Sequence, residues 1–222
     1  MNNATTKVIV VYLEGNIGVG KSTLLDNLRL RLESMSFEIP VNFTYLQEPV
    51  DIWRKSGSLD LLYRKKITSS LFQMMVLATR STSLFSTVSQ LKKNRLNIIF
   101  TERSLKFGDR AFSNLYVTDQ NELKMYNDCA QSISSSFDNT LKGFDPNFEE
   151  IYMYLNLDAN ECLERIKQRR RSEEDNVSLD LLQNIQNSHE EMMKIINTIH
   201  IDANKHQAEI VENILEKIYI CD

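Results

Sequence analysis

Apolar, mostly β-branched residues run without a break from Val8 to Leu13, which is the pattern of a strand buried on both faces of a parallel sheet. Leu24, Leu25, Leu28 and Leu32 then recur at helical spacing and predict a helix to about Glu33. The two periods go on alternating. Short apolar strands are predicted at 43–46, 97–101, 151–157 and 198–202. Between them a long helix is predicted over 67–93, with Ile67, Leu71, Met75, Ala78, Phe85 and Val88 as its apolar face. Further helices are predicted over 121–141, from the capping-box-like Asp158–Ala159–Asn160–Glu161 onward, over 179–197 and over 208–218. Ser56–Gly57–Ser58 reads as a loop, and Pro146 marks a turn. Strands alternating with helices predict an α/β fold with a five-stranded parallel sheet flanked by helices. With no repeat or linker, residues 1–222 make one domain.

Composition adds exclusions. The formal net charge of −4 lacks the basic footprint of a nucleic-acid binder. Any anionic ligand must be met by local clusters of Arg and Lys. No apolar run approaches the length of a membrane span, and the start of the chain does not read as a signal peptide. Cys129, Cys162 and Cys221 are far apart and odd in number, so neither zinc nor a disulfide framework is expected. An intracellular, cytoplasmic setting is.

The chemistry starts at the end of the first strand. Gly15–Asn16–Ile17–Gly18–Val19–Gly20–Lys21–Ser22, followed by Thr23, fits the GxxxxGK[ST] loop at every fixed position. It lies between a strand and a helix, as its mechanism requires. Backbone N–H groups and the helix N-terminus would cradle phosphates. Lys21 would reach the β- and γ-phosphates, and Ser22 would ligate Mg²⁺. This alone implies a nucleoside triphosphate and no particular reaction. Two carboxylates follow later strands, Glu48 in Gln47–Glu48–Pro49 and Glu102 in Thr101–Glu102–Arg103–Ser104. Ligands of open α/β sheets bind at that edge.

GNIGVGKST, EPVDIW, FQ within a helix, ERS and RIKQRRRSEE occur in this order between Gly15 and Glu174. Together they resemble the deoxyribonucleoside kinases, a family that includes the deoxycytidine, deoxyguanosine, mitochondrial thymidine and insect multisubstrate enzymes. The resemblance implies the P-loop nucleoside and nucleotide kinase fold, a homodimer, and transfer of the ATP γ-phosphoryl group to a deoxyribonucleoside 5′-OH. It makes Glu48 the catalytic base, and Arg103 the holder of Glu48 and of the 5′-oxygen. Glu102 joins Ser22 at Mg²⁺. Arg165, Arg169 and Arg171 become arginines of a lid at about 165–175. Glu174, with Tyr63, would bind the sugar 3′-OH. Gln73 would bond the base edge, and Trp53 and Phe112 would pack the nucleoside, unless they are plain core.

In the family, an arginine on the glutamine's helix pairs with an aspartate after ERS where deoxycytidine and purine nucleosides are taken. Small apolar residues at both positions go with thymidine. Arg80 matches the arginine, and either Asp109 or Gly108 matches the partner position. An unpaired buried guanidinium is costly, which favours Asp109 and a deoxycytidine or purine substrate. Two other readings stay open: a thymidylate-type nucleoside monophosphate kinase, and a nucleotide-binding regulatory protein without transfer activity.

Overall fold

The computed structural model describes residues 5–171, 174–175 and 177–218, apart from the side chain of Tyr63. Five parallel strands form one sheet in the order β2-β3-β1-β4-β5. They are β1 (Lys7–Gly15), β2 (Val41–Leu46), β3 (Leu96–Glu102), β4 (Glu149–Asn156) and β5 (Thr198–Asp202). All five stand where the apolar runs predict them. Side chains alternate along β1. Val11 and Leu13 join one core with Leu24, Leu25, Leu28 and Leu32 of α1 (Lys21–Glu33) and Ile210 and Ile214 of α9 (Gln207–Ile218). Val8, Val10 and Tyr12 join the other. There they meet Leu77 and Leu84 of α4 (Ser69–Val88) and Tyr126, Phe137 and Leu141 of α6 (Gln120–Lys142). Burial of both faces explains why β1 reads as an unbroken apolar run. Among the described residues, no helix is long and apolar enough to cross a membrane.

The helices depart from the sequence reading in four ways, one being that the helix expected over 179–197 ends at Met193. α4 stops at Val88 rather than running to residue 93. Past it the backbone turns, with Asn94 at φ 57°. The buried Asn97 side chain ties this turn down, accepting from Lys92 N at 2.8 Å and donating to its carbonyl at 2.9 Å. α4 is also rotated from its predicted phase. Leu71 is 58 % exposed, and Ala78 is exposed as well. The buried stripe is Phe72, Gln73, Val76, Leu77, Arg80, Ser81, Leu84 and Thr87. Apolar periodicity mislocates the inner face because that face must deliver Gln73 and Arg80 to the sheet edge. Finally, three helices were not predicted: α2 (Val50–Lys55), α3 (Ser58–Tyr63) and α5 (Gly108–Tyr116). α7 (Ala159–Arg169) is capped by Asp158, and α8 (Leu179–Met193) by Ser178.

Candidate active site

The parallel registers bring three strand ends to one edge. Leu13 of β1 and Leu46 of β2 lie beside Glu102 and Thr101 of β3. The glycine loop follows β1, Glu48 follows β2 and Arg103 follows β3.

The loop turns through left-handed backbone, with Gly18 at φ 84° and Gly20 at φ 106°. At Gly18 a side chain would also strike the Cys162 carbonyl at 2.6 Å, so only glycine fits. Val19 is buried in the core and Ile17 packs against it. Asn16 braces the loop by donating to the Leu182 carbonyl at 2.8 Å and accepting from Ile17 N at 2.8 Å. Lys21 is buried and curls back to the carbonyls of Gly15 (3.1 Å) and Asn16 (2.8 Å). Burial and then Arg103 push its pKa down to about 8. Ser22 and Thr23 lie exposed on the first turn of α1.

Glu48 Oε1 accepts from Arg103 Nε at 2.9 Å and from Arg80 Nη1 at 3.2 Å. Both bonds land on Oε1, so Oε2 carries neither. Burial would raise the pKa of Glu48, but Arg103, Arg80 and Lys21 more than offset it and hold the carboxyl down to about 2. Glu102 is shifted the other way, raised by burial and by the charge of Glu48, against Lys21 and a hydrogen bond from Ser22. Its Oε1 is buried with no hydrogen-bond partner.

Arg80 links the strand ends to α5. Its Nη2 donates to the carbonyls of Glu102 and Arg103, each at 2.8 Å. Its Nε stands 3.0 Å from Asp109 Oδ2, an ion pair outside hydrogen-bond alignment. Burial, only partly offset by Arg80, pushes Asp109 up to about 7. Gly108 has a different neighbour: a Cβ there would collide with Glu14 Oε2. Of the two residues that the sequence leaves as partners for Arg80, Asp109 is the one beside it.

Arg103 adopts φ 56°. This left-handed turn, uncommon for a non-glycine residue, sends its side chain back over β1. Nη1 donates to the Gly15 carbonyl at 3.0 Å and contacts His189 Nε2 at 3.0 Å. The guanidinium carbon lies 4.3 Å over the Phe112 ring, a cation–π arrangement. Gln73 is buried on the same helix face as Arg80. Trp53 is core: its ring meets Phe72 edge-on at 6.0 Å, and its indole N–H donates to Thr79 at 2.9 Å. Tyr63 closes α3, but its side chain lies outside the described residues.

The three arginines expected in a lid do not form one group. Arg165 spends its guanidinium on the carbonyls of Val19 (2.9 Å) and Ala203 (3.0 Å). Arg169 donates through Nε to Glu174 Oε2 at 2.6 Å, and Arg171 Nη1 stands 3.8 Å from Glu174 Oε1. Glu174 is thus held by two neighbours in sequence.

Two residues of the site escaped the sequence reading. Glu14 is fully buried, and its Oε1 accepts from Ser104 N (2.8 Å) and Ser104 Oγ (2.6 Å). It pins the loop that carries Arg103, and burial raises its pKa. His189 was missed too; a lone histidine on an apolar helix face gives no local signal.

The model of the deoxynucleoside kinase family matches residues 10–220. The chain belongs to this family, and it is an enzyme, a deoxynucleoside kinase. It is 27 % identical over 206 residues to a probable deoxycytidine kinase of fowlpox virus, spanning 90 % of this chain and 75 % of that one. It is 26 % identical over 250 residues to the deoxycytidine kinase of Mus musculus, spanning 96 % and 90 %. A solved deoxyadenosine kinase from M. mycoides, with the products dCMP and a flexible dCDP bound, shares the fold. Its TM-score is 0.67 at 24 % identity, over 94 % of this chain and 98 % of that one.

Proposed function

We propose that the chain transfers the γ-phosphoryl group of ATP to the 5′-OH of deoxycytidine or a purine deoxynucleoside. Glu48 takes the hydroxyl proton, and Arg103 holds Glu48 and the 5′-oxygen. The observation that carries this reading is the convergence of Glu48, Arg103 and Lys21 at one sheet edge, in hydrogen-bond or charge contact. A carboxyl held near 2 is a weak base while three cations face it. Donor phosphates would take up the charge of Lys21 and so raise its basicity, and a loose phosphoryl transition state demands little of a base. The donor lies in the loop Gly15–Thr23 under Arg165, Arg169 and Arg171, which offset developing charge.

Mg²⁺ fits Ser22 and Glu102. Glu102 Oε1 is a buried oxygen with no partner, and the Ser22 hydroxyl is near enough to the same carboxyl to lower its pKa. Phosphate oxygens and water would complete such a site. When bound, the ion neutralises phosphate charge.

Gln73, Phe112, Tyr63 and Glu174 complete the nucleoside site in this reading, and Trp53 supports its wall. The ion pair of Arg80 with Asp109 favours deoxycytidine and purines over thymidine, and two relatives named deoxycytidine kinase agree with that. A homodimer is part of the proposal. Apolar Leu71 and Met74 on α4 and Met125 on α6, 58 %, 37 % and 66 % exposed, would lie at its contact. So is an intracellular setting, which suits the free thiols of Cys129 and Cys162.

The test is a panel of four deoxynucleosides and their monophosphates with ATP and Mg²⁺. Nucleosides should be phosphorylated and monophosphates not, with thymidine disfavoured by on the order of 10⁴-fold in kcat/KM. Arg80→Met with Asp109→Ala should relax that discrimination. Thymidine as the best substrate would overturn the assignment of the base. Turnover of monophosphates alone would overturn the acceptor.

A further inference from the structure

Arg103 is set by what surrounds it, and one of those groups comes from α8, a helix that also braces the phosphate loop through the Leu182 carbonyl. Leu182, Ile185, His189 and Met193 form the buried face of α8. Three are apolar, and His189 is fully buried among them. Its Nδ1 lies 3.0 Å from the Ile185 carbonyl oxygen. A carbonyl only accepts, so Nδ1 carries the proton. Its Nε2 lies 3.0 Å from Arg103 Nη1. A guanidinium only donates, so Nε2 is the bare acceptor. One neutral tautomer satisfies both contacts, and protonation would break the second.

The rest of the packing fixes that ring. Phe112, which lies under the Arg103 guanidinium, meets the imidazole edge-on at 5.3 Å and 84°. Ser188, the preceding residue, donates to the Ala111 carbonyl of α5 at 2.7 Å. Leu182 accepts from Asn16 of the phosphate loop at 2.8 Å. α8 is therefore tied to α5, to the loop after β1 and to the arginine after β3.

We infer that His189 is a positioning residue for phosphoryl transfer, its Nε2 accepting from Arg103 and holding the guanidinium in the orientation that engages Glu48. The inference rests on the roles of Glu48 and Arg103 proposed above. The acceptor is neutral for a reason. The nearby charges are Arg103, Lys21 and Glu48; burial and then Arg103 hold the imidazole down to about 3. It therefore orients Arg103 without competing with Glu48 for its charge, as a second carboxylate would.

The test is steady-state kinetics of the full chain with its preferred nucleoside, ATP and Mg²⁺. His189→Phe keeps a ring and removes the acceptor. It should lower kcat by about 10-fold or more, the scale of one hydrogen bond to a charged group, and leave the nucleoside KM within about 3-fold of the wild-type value. His189→Gln, whose amide oxygen reaches the place of Nε2, should restore most of the kcat. His189→Asn, which keeps the Ile185 contact but falls short of Arg103, should not. Where the Phe variant fails to fold, the Asn and Gln pair decides. Equal kcat in Asn and Gln would overturn the inference, as would a loss confined to KM. Arg103→Met separates the two levels. If it leaves kcat unchanged, the proposed role of Arg103 fails. If it costs kcat while a folded His189→Phe or His189→Asn does not, only the inference on His189 fails.

Discussion

Glu48 is held by Arg80 and Arg103, 32 and 55 residues away in the chain. Glu174 is held by Arg169 and Arg171, five and three residues away. The first group is buried, with Arg80 and Arg103 side chains 7 % and 4 % exposed. In the second, the Arg169 and Arg171 side chains are 32 % and 43 % exposed. Burying charges is costly, and the cost is met only when the whole fold supplies the partners. The Glu174 side chain is itself only 11 % exposed, but its arginines are chain neighbours that reach it from the surface, so these pairs do not depend on distant elements. In the proposed reading, the acceptor side of the site is set when the sheet forms, and the donor side is fastened by local contacts that phosphate oxygens would replace.

Substitution at Glu48 tests the fixed side most severely. Glu48→Gln keeps the shape and one acceptor oxygen but cannot take a proton. A loss of roughly 10²–10⁴-fold in kcat is expected, with a small change in nucleoside affinity. A rise in KM alone would make Glu48 a binding group and remove the distinction between the two sides.

The lid should respond less and differently. Arg169→Ala and Arg171→Ala should each lower kcat by at most about 10²-fold. Nucleoside affinity measured without ATP should hardly move, and thermal stability should be unchanged. A variant that lost nucleoside affinity and kept its kcat would show that the segment serves the acceptor.

The smallest expected effect is a pH signature confined to the buried side. His189 is neutral in the fold, whereas in the unfolded chain it takes a proton below about pH 6.5. The unfolded state then binds more protons, so stability falls as pH drops from about 6.5, by at most about 1.4 kcal/mol per unit. Asp109, raised to about 7, acts in the opposite sense across the same window, its contribution falling as pH rises from about 4 and gone above 7. Glu48, held near 2, contributes stability lost only at lower pH, as its carboxyl is protonated. The difference in Tm between wild type and His189→Gln over pH 5 to 6.5 therefore isolates the imidazole, and the wild type should fall more steeply.

What the sequence disclosed follows the same division. β1, β3 and β4, buried on both faces, announce themselves as apolar runs, whereas the edge strands β2 and β5 are shorter and only partly buried and were legible from the alternation of strands and helices. The glycine loop was legible because its chemistry is contiguous. Glu48 and Arg103 stood out by following apolar strands. The phase of α4 was not legible, because the buried places held by Gln73 and Arg80 are set by the site, and Leu71 and Ala78 are exposed in consequence. α2 and α5 are short, and the buried positions of α5 are Gly108, Asp109, Ala111 and Ser113, which a search for large apolar residues passes over. Whether Gly108 or Asp109 faces Arg80 depends on Glu14, ninety-four residues before Gly108, whose carboxyl occupies the space beside that glycine. His189 and Glu14 act across the fold, so a linear reading passes over them.

The central place of β1 in the sheet sets an order of events during synthesis. The strand that ends in the phosphate loop is made first, yet its two neighbours are β3 and β4. The ladder on one side of β1 lacks its partner until residue 102 exists, and that on the other side until residue 156 exists. Chains generally fold from the N-terminus as they emerge, but here the oldest strand waits for the later ones. Until then its apolar residues are open to other chains, and the waiting period grows with the time taken to translate the stretch from β1 to residue 156. Slow translation of that stretch should therefore favour chaperone capture and aggregation, whereas slow translation after residue 156 should matter far less.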